Sequence, residues 1–203
     1  MNVAIVDYGM GNIRSITSAL KYVGVDNVSV TAEYECLKSA DALVLPGVGA
    51  FAEAISKIRE NSLDKYLREL VLIDKKPILG ICLGMQLLGM SSDENGHNLG
   101  LGFIRGHVGK FSASSLKVPH IGFNQVAVRH GLKLYQGFPE SADFYFTHSF
   151  RMQSESEINQ CTCYYGENFI ASFESENIAG VQFHPELSQY NGLNLIRNFI
   201  ENF

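Results

Sequence analysis

PILGICLGMQLL, residues 77–88, decides the fold. The apolar run Pro77, Ile78 and Leu79 enters Gly80, Ile81, Cys82, Leu83 and Gly84, and the residues that follow (Met85, Gln86, Leu87, Leu88) are helix formers with apolar side chains at near-helical spacing. The pattern predicts strand, sharp turn and helix, with a cysteine at the turn. Glycines two residues before and two after a nucleophile are what such an elbow needs: the turn residue sits in a strained conformation, and a Cβ on either glycine would crowd it. The spacing presents the Cys82 sulfur outward at a helix start, where the helix dipole favours thiolate over thiol and the Leu83 N–H is free for a developing oxyanion. A small cysteine packed in a βα turn is the plainer reading, and the paired glycines weigh against it.

Upstream of the elbow the chain repeats the same unit. Residues 3–7 (VAIVD) form a buried-strand run closed by Gly9, Met10 and Gly11, and a helical pattern follows through Ile13, Ile16, Leu20 and Val23. Arg14 replaces the third glycine of a dinucleotide fingerprint, so that motif is weak here. Short strands are expected at 28–31 and 42–45, with helical apolar spacing after residue 50 and a break near Asn61. Strand and helix alternate, as in a parallel sheet covered on both faces. The loop PGVGAF (46–51) leaves the third strand and should lie beside Cys82, where Val48 and Gly49 N–H groups could complete an oxyanion hole with Leu83.

Downstream, residues 91–102 are polar and glycine-rich and read as a loop carrying Glu94. From 103 to 173 shorter alternating stretches suggest partly antiparallel strands. His120 and His148 lie here without a carboxylate nearby in sequence, which favours structural or interface roles over that of a base. The last strand, 178–183, runs into His184, Pro185 and Glu186. In extended chain residues two apart face the same way, so His184 and Glu186 project together as a base and the carboxylate that orients it. A histidine and glutamate at one strand end and a glycine-flanked cysteine at another make a Cys-His-Glu constellation.

Composition bounds the alternatives. With 203 residues, 16 Lys+Arg against 21 Asp+Glu and a net charge of -5, the chain reads as one α/β domain over 1–203 with no basic concentration for nucleic acid. No stretch approaches a membrane span and the N-terminus lacks a basic region before its short apolar run, so a cytoplasmic protein is expected. Cys36, Cys82, Cys161 and Cys163 read as reduced thiols, the last two as packing residues, and neither metal nor cofactor is expected. A silent scaffold protein, a cysteine hydrolase of peptides or esters, and a flavodoxin-like nucleotide binder are the rival classes.

The segments GICLGMQLL, PGVGAF, VPHIGFN (118–124), YFTHSF (145–150) and QFHPELSQ (182–189) together resemble the class I (triad) glutamine amidotransferases. Within that family they look like the glutaminase subunits of imidazole glycerol phosphate synthase, and the likeness runs over essentially the whole chain. It implies a single flavodoxin-like domain with a mostly parallel central sheet and additional antiparallel strands. It also implies Cys82 as nucleophile, His184 as base, Glu186 as its orienting acid, and Val48, Gly49 and Leu83 as the oxyanion hole. Gln86, Glu94, Tyr145, His148 and Ser149 match substrate positions for L-glutamine. The implied partner is a HisF-type cyclase barrel in a heterodimer, contacted by Asn12, His120, Phe123 and Leu187. Family members usually carry lysine at Leu187 and tryptophan at Phe123. Those departures keep open a related protein that supplies ammonia, with its own barrel partner, to an amidotransferase modifying a surface sugar.

Overall fold

The computed structural model describes residues 1–112 and 117–203. Its first half alternates β1 (Asn2–Val6), α1 (Ile13–Tyr22), β2 (Asn27–Thr31), α2 (Tyr34–Ser39), β3 (Ala42–Leu45), α3 (Phe51–Glu60), α4 (Leu63–Leu67), β4 (Ile78–Ile81) and α5 (Leu83–Leu87). β3 and β4 are buried at every residue, as strands covered on both faces must be. The expected break after α3 falls at Ser62, whose left-handed backbone (φ 57°) separates α3 from α4, and α4 runs on into a π-helical stretch over Arg68–Ile73.

The second half supplies β5 (Ser91–Ser92), β6 (Asn98–Leu99), β7 (His107–Lys110), β8 (His120–Ala127), β9 (Ser141–His148), β10 (Phe150–Gln153), β11 (Cys161–Tyr165), β12 (Glu167–Ser175), β13 (Ile178–Val181) and α6 (Gln189–Asn202). Nine strands form the main sheet in the order β2-β1-β3-β4-β13-β12-β11-β8-β9. The first five pair in parallel, in the flavodoxin-like order, and the pairings from β13 outward are antiparallel. One core packs α1 and α6 against the sheet around Ile16, Leu20, Leu195 and Phe199; the other packs α3, α4 and α5 on the opposite face around Phe51, Ile58, Leu67 and Met85. Cys161 and Cys163 lie in the first of these cores. Among the described residues no helix is long and apolar enough to cross a membrane.

Two expectations need correction. Residues 91–102 are not all loop: β5 and β6 form a two-residue pairing that joins β7 and β10 in a second, four-stranded sheet. Strands of two residues are too short to show alternation. The last strand also stops at Val181, and Pro185–Leu187 form a 3-10 turn, so the chain from His184, itself still extended, to Glu186 is not a continuous extended segment.

Candidate active site

β4 ends at Ile81 and α5 begins at Leu83, which leaves Cys82 alone at the elbow with φ 53° and ψ -110°, a conformation that residues with a Cβ avoid. Its N–H donates to the Val181 carbonyl at 2.8 Å, so β13 pins the turn. The flanking glycines are required by close approach. A Cβ at Gly80 would lie 2.8 Å from the Met85 backbone, and one at Gly84 only 1.9 Å from the Leu45 carbonyl oxygen. The sulfur is not presented to open solvent: Cys82 is 6 % exposed and lines a cavity of about 320 Å³ with Val48, Leu83, Gln86, Ser149 and His184. With only five residues, α5 aligns few peptide dipoles, so the helix start is a weak electrostatic influence on Sγ.

His184 Nδ1 lies 2.8 Å from Glu186 Oε1, and the 3-10 turn, in place of an extended strand, brings them together. Asn12 Nδ2 donates to the same carboxylate oxygen at 3.2 Å, a contact that turns this expected interface residue toward the interior. The His184 and Glu186 side chains are both buried. Burial opposes charge on His184, but the attraction of the Cys82 sulfur and of the hydrogen-bonded Glu186 carboxylate outweighs that and raises its pKa to about 10. With Nδ1 held by Glu186, Nε2 has no partner among the described residues and is the nitrogen available to Cys82. Ser188 ties the turn down, donating through Oγ to the His184 carbonyl at 2.6 Å while accepting from the Tyr145 N–H at 2.9 Å. Gly192 in α6 admits the Pro185 carbonyl where a Cβ would come within 1.8 Å. Ser188 sits inside the QFHPELSQ segment without a role assigned to it, and Gly192 lies outside any motif, so the sequence alone points to neither contact.

The cavity gathers Val48, Gly49, Leu83, Gln86, Glu94, His148 and Ser149. Among the described residues the backbone N–H groups of Val48, Gly49 and Leu83 donate to nothing, which leaves them for an anion. Glu94 accepts from the Phe51 N–H at 2.9 Å and so caps α3 across the cavity rim. Tyr145 is absent from the cavity lining: its ring packs edge-on against Phe123, and its carbonyl accepts the His184 N–H at 2.8 Å. Phe123 and Leu187 are surface residues, 51 % and 41 % exposed.

His120 is 3 % exposed and stacks between Phe146 and Tyr165, so it does not itself face a partner. Its hydrogen bonds run in one direction. The Phe150 carbonyl, which only accepts, lies 2.8 Å from His148 Nδ1 and fixes the proton there. His148 Nε2 must then accept from His120 Nδ1 (3.0 Å), and His120 Nε2 from Asn124 Nδ2 (3.3 Å). Both rings are neutral and fully engaged, and His148 offers the cavity its surface without a free ring nitrogen. Burial lowers His120 to about 4 and His148 to about 3. Below pH 6.5 the unfolded chain therefore takes up protons at two histidines that the folded chain refuses, and stability falls as the pH drops, by roughly 1.5 kcal/mol per histidine between pH 6.5 and 5. His184, shifted the other way, is protonated throughout this range in the folded chain but only partly so in the unfolded chain near pH 6.5 to 7, so it offsets a minor part of that fall. Urea midpoints at pH 7 and pH 5 test this: His120→Asn should remove about half of the acid-induced fall seen in the parent, and equal falls would show that His120 is not held neutral.

The family model for class I glutamine amidotransferases matches residues 4–203. The chain belongs to that family. It is 44 % identical over 98 % of its length to imidazole glycerol phosphate synthase subunit HisH 1 of Campylobacter jejuni (strain RM1221), covering 98 % of that protein. It is 43 % identical to subunit HisH 2 of Vibrio vulnificus (strain YJ016), covering 99 % of this chain and 94 % of that one. A solved glutamine amidotransferase structure superposes with a TM-score of 0.78 at 20 % identity over 99 % of this chain and 98 % of that one. At that identity the superposition speaks for the shared fold alone.

Proposed function

We propose that this chain is the glutaminase component of an imidazole glycerol phosphate synthase, hydrolysing L-glutamine to glutamate and ammonia in histidine biosynthesis. The observation that carries the reading is that Cys82 and His184 line one cavity together with Val48, Gly49 and Leu83, while Glu186 Oε1 lies 2.8 Å from His184 Nδ1. In this reading the Cys82 thiolate attacks the side-chain carboxamide carbon of glutamine, and the developing oxyanion takes hydrogen bonds from Val48, Gly49 and Leu83. His184 hands its proton to the departing nitrogen, and ammonia leaves a thioester behind. His184 then takes a proton from water as it attacks the thioester, releasing glutamate and restoring the thiolate. Glu186 and Asn12 hold the imidazole in place. Gln86, Glu94 and Ser149 bind the substrate.

Ammonia released into water is protonated and lost, so a synthase must receive it at close range. The partner in this reading is a cyclase barrel of the HisF type, docked over Phe123, Leu187 and the 118–124 segment at the start of β8 in a cytoplasmic heterodimer. Val118, Ile121, Phe123 and Leu187 are exposed apolar side chains and support an interface there. Leu187 also favours a second reading: an apolar residue in place of a lysine removes a cross-subunit ion pair, which fits a paralogue that feeds ammonia to a surface-sugar amidotransferase.

The test is glutamine hydrolysis by the chain alone and with the histidine-pathway cyclase of the same organism, with and without the cyclase substrate. Stimulation on the order of 10–100-fold supports the histidine role. Basal hydrolysis that the cyclase and its substrate leave unchanged rejects that role and moves the ammonia to another synthase.

A further inference from the structure

Gln182 lies between the end of β13 and His184, and its side chain is 0 % exposed. A carboxamide taken wholly out of water destabilises the fold unless its donors and acceptor are matched. Both ends of this one are engaged at the active site. Nε2 lies 3.7 Å from Cys82 Sγ, within reach of a sulfur acceptor, and Oε1 accepts from Gln86 Nε2 at 2.8 Å. Gln86 Nε2 also donates to the Phe150 carbonyl at 3.0 Å.

The direction of this relay follows from its far end. A backbone carbonyl only accepts, so the end of Gln86 facing Phe150 is its NH2 group. The second hydrogen of that NH2 meets Gln182, which must present its oxygen there and its own NH2 toward the sulfur. The opposite orientation would set two NH2 groups against each other. An N–H donor beside sulfur stabilises thiolate over thiol, because a hydrogen bond to a charged acceptor is roughly twice as strong as one to a neutral acceptor. It also restrains the sulfur, which in its thiol form donates to the Thr147 carbonyl at 4.0 Å.

We propose that Gln182 is a positioning residue for the nucleophile: its buried carboxamide, oriented through Gln86 by the Phe150 carbonyl, donates to Cys82 Sγ and holds the sulfur charged and in line for attack. The proposal rests on Cys82 acting as the glutaminase nucleophile. It adds a third influence on the thiolate, beside His184 and the first turn of α5. Gln86 is thereby tied to the nucleophile as well as to the substrate cavity.

Two substitutions separate this role from mere filling of the site. Gln182→Met keeps length and volume and removes both ends of the amide. Gln182→Glu keeps an acceptor for Gln86 and loses the donor to sulfur. The pH profile of iodoacetamide alkylation is followed on the Cys82 peptide by mass spectrometry, with exposed Cys36 as an internal reference. In both variants the Cys82 profile should move up by about one pH unit, and kcat for glutamine should fall about tenfold with KM within about twofold. An unshifted profile in Gln182→Met, or wild-type kcat in Gln182→Glu, overturns the proposal.

Should neither variant fold, the side-chain amide resonance of Gln182 in the unaltered protein decides. It should move as Cys82 titrates, and a stationary resonance overturns the donor role. If Cys82→Ala still hydrolyses glutamine, the glutaminase assignment itself fails. If Cys82→Ala is inactive while the Gln182 variants behave as the parent, only the present inference fails.

Discussion

Cys82→Ala should lower glutamine hydrolysis by at least about 10⁴-fold while leaving the fold intact. The loss is large because Cys82 supplies the thiol that lines the cavity, and without it the covalent bond that divides amide hydrolysis into two easier steps is not formed. Without the sulfur, the N–H groups of Val48, Gly49 and Leu83 have no attacking atom to complement. The fold should survive because alanine retains the Cβ and the strained backbone at φ 53° is imposed by neighbours: the Val181 carbonyl holds the Cys82 N–H, and the two glycines admit α5 and β3. The thermal midpoint should therefore stay within a few degrees of the parent. The decisive reading is glutamate release by the folded variant. Activity above about one per cent of the parent would remove Cys82 from the nucleophile's role. Ammonium salt added to the complete synthase should restore product formation in the variant, since the substitution stops ammonia supply and not its use.

Gly84→Ala is the second large effect, and it acts on the fold first. Alanine is the better helix former by about 1 kcal/mol, so helix propensity alone predicts stabilisation. Packing decides the other way. The added Cβ would meet the Leu45 carbonyl oxygen at 1.9 Å and its carbon at 2.8 Å, and both belong to β3 in the middle of the parallel sheet. Neither a central strand nor the elbow can retreat cheaply, because Cys82 is tied to β13 and Leu45 is paired to Gly80. The cost is roughly 3–5 kcal/mol, enough to unfold a domain of ordinary stability or to shift α5 and carry the Leu83 N–H off its position. A denaturation midpoint at or above that of the parent would show that α5 does not press on β3 as described. Gly80→Ala, with contacts of 2.8 Å to Met85 and Leu88, should be damaging but less so.

The parts legible in the sequence share one property: their signal is local. Continuous apolar runs announce β1, β3 and β4 because a strand covered on both faces has no polar side. Gly80 and Gly84 flank Cys82 at a spacing that only an elbow requires, and His184 and Glu186 are two residues apart, so their meeting survives an error about the backbone between them. Long-range contacts have no such signal. Glu94 caps α3 at Phe51, β5 and β6 are too short for any period to appear, and Tyr145, expected in the cavity, packs on Phe123 because its side chain takes the other direction.

By itself, then, the sequence determined the α/β order of elements, the elbow at Cys82, the pairing of His184 with Glu186, and membership of an amidotransferase family. Only the tertiary structure decided which histidine is charged. His120 and His148 share one apolar layer and stay neutral, while His184, equally buried, carries its proton because Cys82 and Glu186 reach it. The same holds for Gln182, which opens the segment ending at His184 and Glu186 but shows no role until folding encloses it against Gln86 and the sulfur. Charge state and hydrogen-bond direction depend on what the whole fold removes from water, and no window of sequence carries that information.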